Sequence, residues 1–398
     1  MQLLLVCAAA VGAWRAYRWS TPPAFIPVEC GGHAAAVFNA EFLPSTNTNF
    51  VHAATLAELP NHDLLAAWYG GTDEIDPDVN IFVCRLDHAT GIWSPPRAIE
   101  NGRGARVKSV GNPVLVVDKN GVRLFFVAVI VGGWSGSTIC VKHSPDGEHW
   151  SPPRRIVTSP FFNLGMLVRS PAVAYSDGTI ALPIYHELRR KWSALARIDA
   201  NDRVIDVAHM ADNPLIQPWV VPRSASEATA FFRWSARTPG VVTFATTRDG
   251  GAHWSDIFST GLVHRDSAVA AALLPDRSLF IVYNNTPGDR RKLALVHLPS
   301  GKSLALESDP RPAFDGPIRR EYSYPFLIAT SDGQYHLVYT WQRTKIRHVT
   351  FTAAALWSQP ASAPAGPAAS RRRSTSGRRD AAPPAGETPA ATFTAALP

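Results

Sequence analysis

The sequence predicts an all-β chain folded as a six-bladed β-propeller. Three observations carry this: a hairpin that recurs at roughly fifty-five-residue intervals, a tryptophan-bearing turn motif in register with it, and no sustained helical period. Runs rich in Val, Ile, Phe, Tyr and Thr alternate with Gly, Asn, Asp and Pro turns, as strands with one buried face require.

The hairpins are an apolar strand, a turn with Asp, Asn or Gly, and a second apolar strand. They cover residues 56–69 across Asn61-His62-Asp63, 113–127 across Lys119-Asn120-Gly121, and 171–185 across Asp177-Gly178. A weaker one runs over 219–233 through Ser224-Ala225-Ser226, followed by 268–283 across Asp276-Arg277 and 325–339 across Asp332-Gly333. Six such units fill the middle of the chain, and radial repetition of four-stranded sheets is one way to shield strand edges.

The turn motif supplies the second repeat. Trp93-Ser94-Pro95-Pro96-Arg97 recurs as Trp150-Ser151-Pro152-Pro153-Arg154. Thr247-Arg248-Asp249-Gly250-Gly251-Ala252-His253-Trp254 fits Ser/Thr-x-Asp-x-Gly-x-x-Trp throughout, residues 144–150 fall one residue short, and residues 87–93 are a degenerate relative. An Asp and a Gly close a tight turn between a blade's last two strands, with the Trp packed beneath. Asp146 and Asp249 are therefore expected on the rim in a structural role.

Composition divides the chain into a leader at 1–20, a propeller at 21–358 and a tail at 359–398. The tail is almost entirely Ala, Pro, Ser, Thr, Gly and Arg, too poor in apolar surface to offset chain entropy, and is expected to be disordered. Residues 3–14 are apolar and precede Arg15 and Arg18; the run is short of the ~20 residues of a membrane span. It fits a signal peptide, with an uncleaved membrane tether as the alternative. The expected location is secreted or periplasmic, tethered in the second case, and the expected state is a monomer. Of the net charge of +7, most belongs to the two ends, where Arg15, Arg18 and five tail Arg meet only Asp380 and Glu387. The propeller lacks the basic footprint that nucleic-acid binding needs, so no nucleic-acid partner is expected.

Cys30, Cys84 and Cys140 form no closed disulfide set, and the last two occupy matching places in two repeats, which points to core packing. No Cys or His pair has metal-ligand spacing and no Gly-rich phosphate loop is present, so neither metal nor cofactor is expected.

Local motifs add a resemblance. Leu64-Leu65-Ala66-Ala67-Trp68-Tyr69-Gly70-Gly71-Thr72-Asp73-Glu74, Ala181-Leu182-Pro183-Ile184-Tyr185-His186-Glu187, Ile216-Gln217-Pro218, Glu321-Tyr322-Ser323-Tyr324-Pro325 and the run from Tyr335 to Arg343 resemble bacterial neuraminidase-like proteins of the sialidase superfamily. The turn motif resembles their Asp-box, or BNR repeat. The resemblance spans residues 45–352 and implies an exo-sialidase-type glycosidase acting on a glycan or glycoconjugate. It implies retention through a Tyr nucleophile, an exception among glycosidases. A phenol is neutral at rest and is not repelled by a substrate carboxylate on the anomeric carbon. An acid serves as general acid/base, and Arg side chains clamp that carboxylate.

Carried over by position, the resemblance implies Tyr322 as nucleophile and Glu74, Asp76 or Asp78 as acid/base, with Glu74 and Asp78 favoured. Arg233 and Arg290 fall where clamp residues belong, and Arg343 is a further candidate. His52 stands where the family has its first clamp Arg. Gln217 stands where it has the Glu that activates the Tyr; Glu187 and Glu321 are neighbouring replacements. His186 and Trp68 complete the candidate site. Two other readings fit the departures: a non-catalytic glycan-binding propeller, and a glycosidase or lyase on another acidic sugar.

Overall fold

The computed structural model describes residues 23–28, 35–159, 163–236, 240–298, 300–309 and 321–356. The leader over 1–20, the tail over 359–398 and Cys30 lie outside the described residues.

Six antiparallel sheets surround one axis, each with its first strand innermost. Blade 1 comprises Phe50–Glu58, Leu64–Gly71, Asn80–Leu86 and Arg97–Asn101; blade 2 comprises Ser109–Asp118, Gly121–Val129, Ser137–Ser144 and Arg154–Arg155. In blade 3 the inner strand is split into Met166–Val168 and Val173–Ala174, followed by Ile180–His186, Trp192–Ile198 and Val204–Ala211. Blade 4 runs through Leu215–Pro222, Ala228–Trp234, Gly240–Thr247 and Phe258–His264, and blade 5 through Ala270–Leu273, Leu279–Tyr283, Lys292–Leu298 and Ser303–Ser308. Blade 6 takes Tyr322–Ala329, Tyr335–Trp341 and Lys345–Phe351 from the end of the domain. Its outer strand comes from the beginning: Phe38–Phe42 pairs with Lys345–Phe351 from Phe38↔Phe351 to Phe42↔Arg347. This clasp closes the ring without leaving an unpaired edge between first and last blades. Residues 23–28 strap the base of blades 3 and 4, where Phe25 stacks on Tyr175 at 5.1 Å and donates its N–H to the Ala225 carbonyl.

The core lies between blades, in apolar layers shared by neighbouring sheets. Cys84 and Cys140 sit on the third strands of blades 1 and 2, both free and buried. Burial pushes the Cys140 thiol up to about 12, so it behaves as a small hydrophobe.

Both turn motifs join third and fourth strands of their blades, as expected. The Asp146 carboxylate accepts the backbone N–H of His149 at 2.9 Å and of Glu148 at 2.8 Å, while Trp150 Nε1 donates to the Gly147 carbonyl at 3.2 Å. Asp249 accepts the His253 N–H and the Thr247 hydroxyl, and Trp254 Nε1 donates to Gly251 at 3.1 Å. Those N–H donors hold Asp146 below the usual carboxylate range; at Asp249, burial works the other way and is outweighed by His253 and Thr247.

Candidate active site

The mouth of the axis is built from a repeated backbone irregularity. The inner strands of blades 1, 2, 4 and 6 each slip register by one residue, after His52, Gly111, Ile216 and Ser323. The residue that follows takes positive φ in every case: Ala53 at 49°, Asn112 at 45°, Gln217 at 51° and Tyr324 at 56°. Proline comes next in three of the four, as Pro113, Pro218 and Pro325. A proline cannot donate to the ladder and is tolerated at such a bulge, which re-aims the side chain before it. Asn112, Gln217 and Tyr324 are thereby turned into a cavity of about 590 Å³.

Tyr324 is the centre of the cavity floor. The guanidinium carbons of Arg169, Arg290 and Arg233 lie 5.2, 5.6 and 5.8 Å from its ring centroid. Arg233 Nη1 donates to the phenolic oxygen at 3.0 Å, and the His52 ring centroid is 4.3 Å from that of Tyr324. Asp266 orders the two outer guanidinium groups. Its carboxylate accepts from Arg233 Nε at 2.8 Å, and its backbone carbonyl accepts from Arg290 Nε and Nη2 at 3.2 and 2.5 Å. Burial disfavours the charged forms of Arg233 and Asp266. Tyr324 and Asp266 outweigh it at Arg233, and Arg233 outweighs it at Asp266, so both stay ionised.

Glu74 faces this floor from the loop after the second strand of blade 1. Its Oε1 accepts from Tyr69 Oη at 3.0 Å, lies 3.6 Å from His52 Nε2, and is paired with Arg343. His52 is fully buried, and burial reinforced by Arg343, Arg290, Arg169 and Arg233 drives its pKa well below the usual imidazole range, leaving it neutral. Its Nδ1 shares a 2.9 Å hydrogen bond with Thr340 Oγ1. Glu321 stands between Arg290 and Arg343 at 3.6 and 3.7 Å. Gln217 Nε2 donates to Tyr185 Oη at 3.2 Å, as does Asn112 Nδ2 at 3.3 Å, while Gln217 Oε1 is buried without a hydrogen-bond partner among the described residues. Trp134 walls the cavity beside Gly111, where a β-carbon would stand 2.6 Å from the indole Cη2.

The cavity therefore gathers Glu74, His52, Gln217, Glu187, Glu321, Arg233, Arg290 and Arg343 from the sequence-based set. It leaves out five others. Tyr322 is 4 % exposed and packs in the apolar layer shared with Trp341, because the register slip at 324–325 puts it on a different face from Tyr324 and turns it away from the cavity. Asp78 caps its own loop, accepting from Thr72 N at 3.0 Å and Thr72 Oγ1 at 2.7 Å, and Asp76 offers its carbonyl to Ser109. His186 stacks on Trp192 and donates to the Arg190 carbonyl. Trp68 is core, 1 % exposed. Sequence reasoning missed Tyr324, Arg169 and Asp266. For Tyr324 the signal was the recurring X-Pro pair.

Five basic and five acidic side chains line the cavity, so its charge is balanced overall and locally separated. Of the positive groups, Arg233 and Arg290 converge on the Tyr324 phenol, each with an acidic residue beside it. Among the described residues, no three His, Cys, Asp or Glu side chains are grouped to hold a metal ion.

Comparison with known proteins accords with this architecture. The BNR repeat-like domain family matches residues 62–337. The chain is similar to a Hadza microbial sialidase, with a TM-score of 0.63, 17 % identity, and coverage of 77 % of this chain and 66 % of the other. It is similar to a protein of unknown function from Dyadobacter fermentans, with a TM-score of 0.62, 14 % identity, and coverage of 83 % and 99 %. The NanB sialidase of Streptococcus pneumoniae aligns with a TM-score of 0.60 at 12 % identity, over 84 % and 71 %. No curated protein matches the sequence. The likenesses to solved structures establish a sialidase-type propeller, and the match over residues 62–337, well over half of the chain, makes this protein a member of the BNR repeat-like domain family.

Proposed function

We propose that the cavity is the active site of a retaining exo-glycosidase that removes terminal sialic-acid-like sugars, with Tyr324 as nucleophile and Glu74 as acid/base. The observation that carries the reading is the set of three guanidinium groups within 6 Å of one phenol ring at the mouth. Such a cluster favours a bound carboxylate and the phenolate that attacks beside it.

In this reading Arg233 and Arg290 take the sugar carboxylate. Tyr324 Oη bonds to the anomeric carbon as Glu74 gives its proton to the departing glycosidic oxygen. The phenolic proton goes to Glu187 or Glu321, two of the other carboxylates at the cavity. Water then cleaves the glycosyl–tyrosine bond, with Glu74 taking the water's proton and Tyr324 recovering its own. The partner is a glycan or glycoconjugate met outside the cytoplasm, for which the apolar run at 3–14 is the motivating feature.

Turnover of a fluorogenic α-sialoside tests the assignment. Tyr324→Phe should lose about three orders of magnitude or more in kcat, while Tyr322→Phe, outside the cavity, should keep it within a few-fold. The reverse ranking would overturn the nucleophile. A wild-type protein that cleaves none of a panel of acidic glycosides would overturn the activity. One observation favours a second reading, a non-catalytic glycan-binding propeller: Gln217, where the family has a carboxylate, cannot take a proton. That reading requires glycan binding unchanged in Tyr324→Phe and no turnover by wild type.

A further inference from the structure

Arg169 follows the first segment of the split inner strand of blade 3 and is 1 % exposed. Its Nη2 donates to the carbonyls of Tyr324, at 2.7 Å, and Pro325, at 3.3 Å, the two residues of the blade 6 bulge. The guanidinium lies between the rings of Tyr324 and Phe326, 5.2 and 5.4 Å from their centroids. Nε and Nη1 are buried without a hydrogen-bond partner, and no carboxylate among the described residues pairs with this cation.

A buried cation with no counter-ion is costly, and an apolar side chain of similar volume would fill the same space without that cost. Structural packing alone therefore does not account for an arginine here. What compensates the charge in place is electron density on the aromatic faces and the carbonyl dipoles. What would compensate it fully is a negative charge on Tyr324.

We infer that Arg169 is a positioning residue for Tyr324: it holds the strained bulge by its two carbonyls, and its unpaired charge stabilises the phenolate. The inference rests on the reading of Tyr324 as nucleophile. Burial pushes Arg169 down to about 10, still cationic at neutral pH. The other groups facing Tyr324 are the Arg233 and Arg290 cations, the neutral His52, and the phenols of Tyr69 and Tyr185. The nearest acids act at one remove: Asp266 on Arg233, Glu74 on His52, Glu187 on Tyr185, and Glu321 on Arg290.

The test is an ultraviolet titration of Tyr324 in the full chain, isolated by difference against Tyr324→Phe in wild type and in Arg169→Met. Loss of the cation should raise the Tyr324 phenol by about one pH unit or more. In turnover, kcat should fall about tenfold or more with KM little changed, and the rising limb of the pH profile should move upward with the phenol. Arg169→Lys keeps the charge and loses the fork, so it should restore the phenol titration while kcat recovers only in part. It also serves as the folded comparison if Arg169→Met does not fold. An unchanged Tyr324 titration in folded Arg169→Met, or a Lys variant that titrates no differently from the Met variant, overturns the inference. A protein that cleaves no glycoside, yet whose Tyr324 titration follows residue 169, keeps this inference and removes the glycosidase reading.

Discussion

The two ends of the propeller axis are made by the same six inner strands and have opposite characters. At one end four of the strands slip register, and three of these present Asn112, Gln217 and Tyr324 among charged groups. At the other they run regularly and enclose an apolar cavity of about 580 Å³ with Leu56, Leu115, Val173, Trp219, Leu273 and Leu327 on its walls. Regular alternation buries apolar side chains and leaves no reason for a polar group to face inward. The bulge interrupts that alternation and pays for itself through the side chain it re-aims. Positive φ at four non-glycine residues on equivalent strands marks the chemical end of the axis.

The sharpest way to break the contrast is at the mouth. Glu74→Gln should lower kcat for a sialoside with a poor leaving group by about 10²–10⁴-fold and leave thermal stability close to wild type. An activated aryl leaving group needs little protonation, so the same variant should lose far less on that substrate. Equal losses on both would remove Glu74 as the acid. At the opposite end the expectation inverts. Leu327, buried in the core and bordering the apolar cavity, should cost about 2–4 kcal/mol as Ala, measured by urea denaturation, with kcat and KM of the folded fraction unmoved.

A smaller effect separates the rim from both ends. Asp249→Ala removes the acceptor of the His253 N–H and the Thr247 hydroxyl on a partly exposed turn, and should cost about 1 kcal/mol in the same denaturation assay. Activity should not change, since the Asp249 turn is no part of the cavity. A loss of kcat would mean that blade 4 transmits strain from its rim to Arg233.

These regions were not equally legible in the sequence. The hairpin turns and Asp-boxes are local, and short-range chemistry fixes them: Gly121, Gly178 and Gly333 take positive φ where the turn needs it. The closing strand Phe38–Phe42 was not legible, because its partner Lys345–Phe351 comes from the far end of the domain. Arg233, Arg290 and Glu74 could be placed because each sits just beyond the regular part of a hairpin. The proposed nucleophile could not be placed by alternation. In an unbroken strand Tyr322 and Tyr324 share a face, and only the slip between Ser323 and Phe326 separates them. Asn112-Pro113, Ser170-Pro171, Gln217-Pro218 and Tyr324-Pro325 together carried that information. The same pattern puts Arg169 at the break in the inner strand of blade 3, one step ahead of Ser170-Pro171, in a stretch that reads as apolar strand.

The smallest predicted effect concerns the counter-ion of Arg233 and is a matter of pH. Asp266 is held below the ordinary carboxylate value of 3.8, since Arg233, its hydrogen bond and Arg290 together outweigh the burial that would raise it. A carboxyl group depressed in the folded state binds fewer protons there than in the unfolded chain. Its contribution to stability is therefore complete above the unfolded value and is lost as pH falls through the folded one. The stability difference between wild type and Asp266→Asn should be level from pH 7 to about 5 and shrink below about 4, as read by urea denaturation across that range. Asp266 is partly exposed, so solvent screens the pair and the difference is modest even at its maximum. A difference that grew on acidification would mean that Asp266 is protonated more readily in the fold than out of it. Arg233 would then lack the carboxylate that pairs with it as the solution turns acidic.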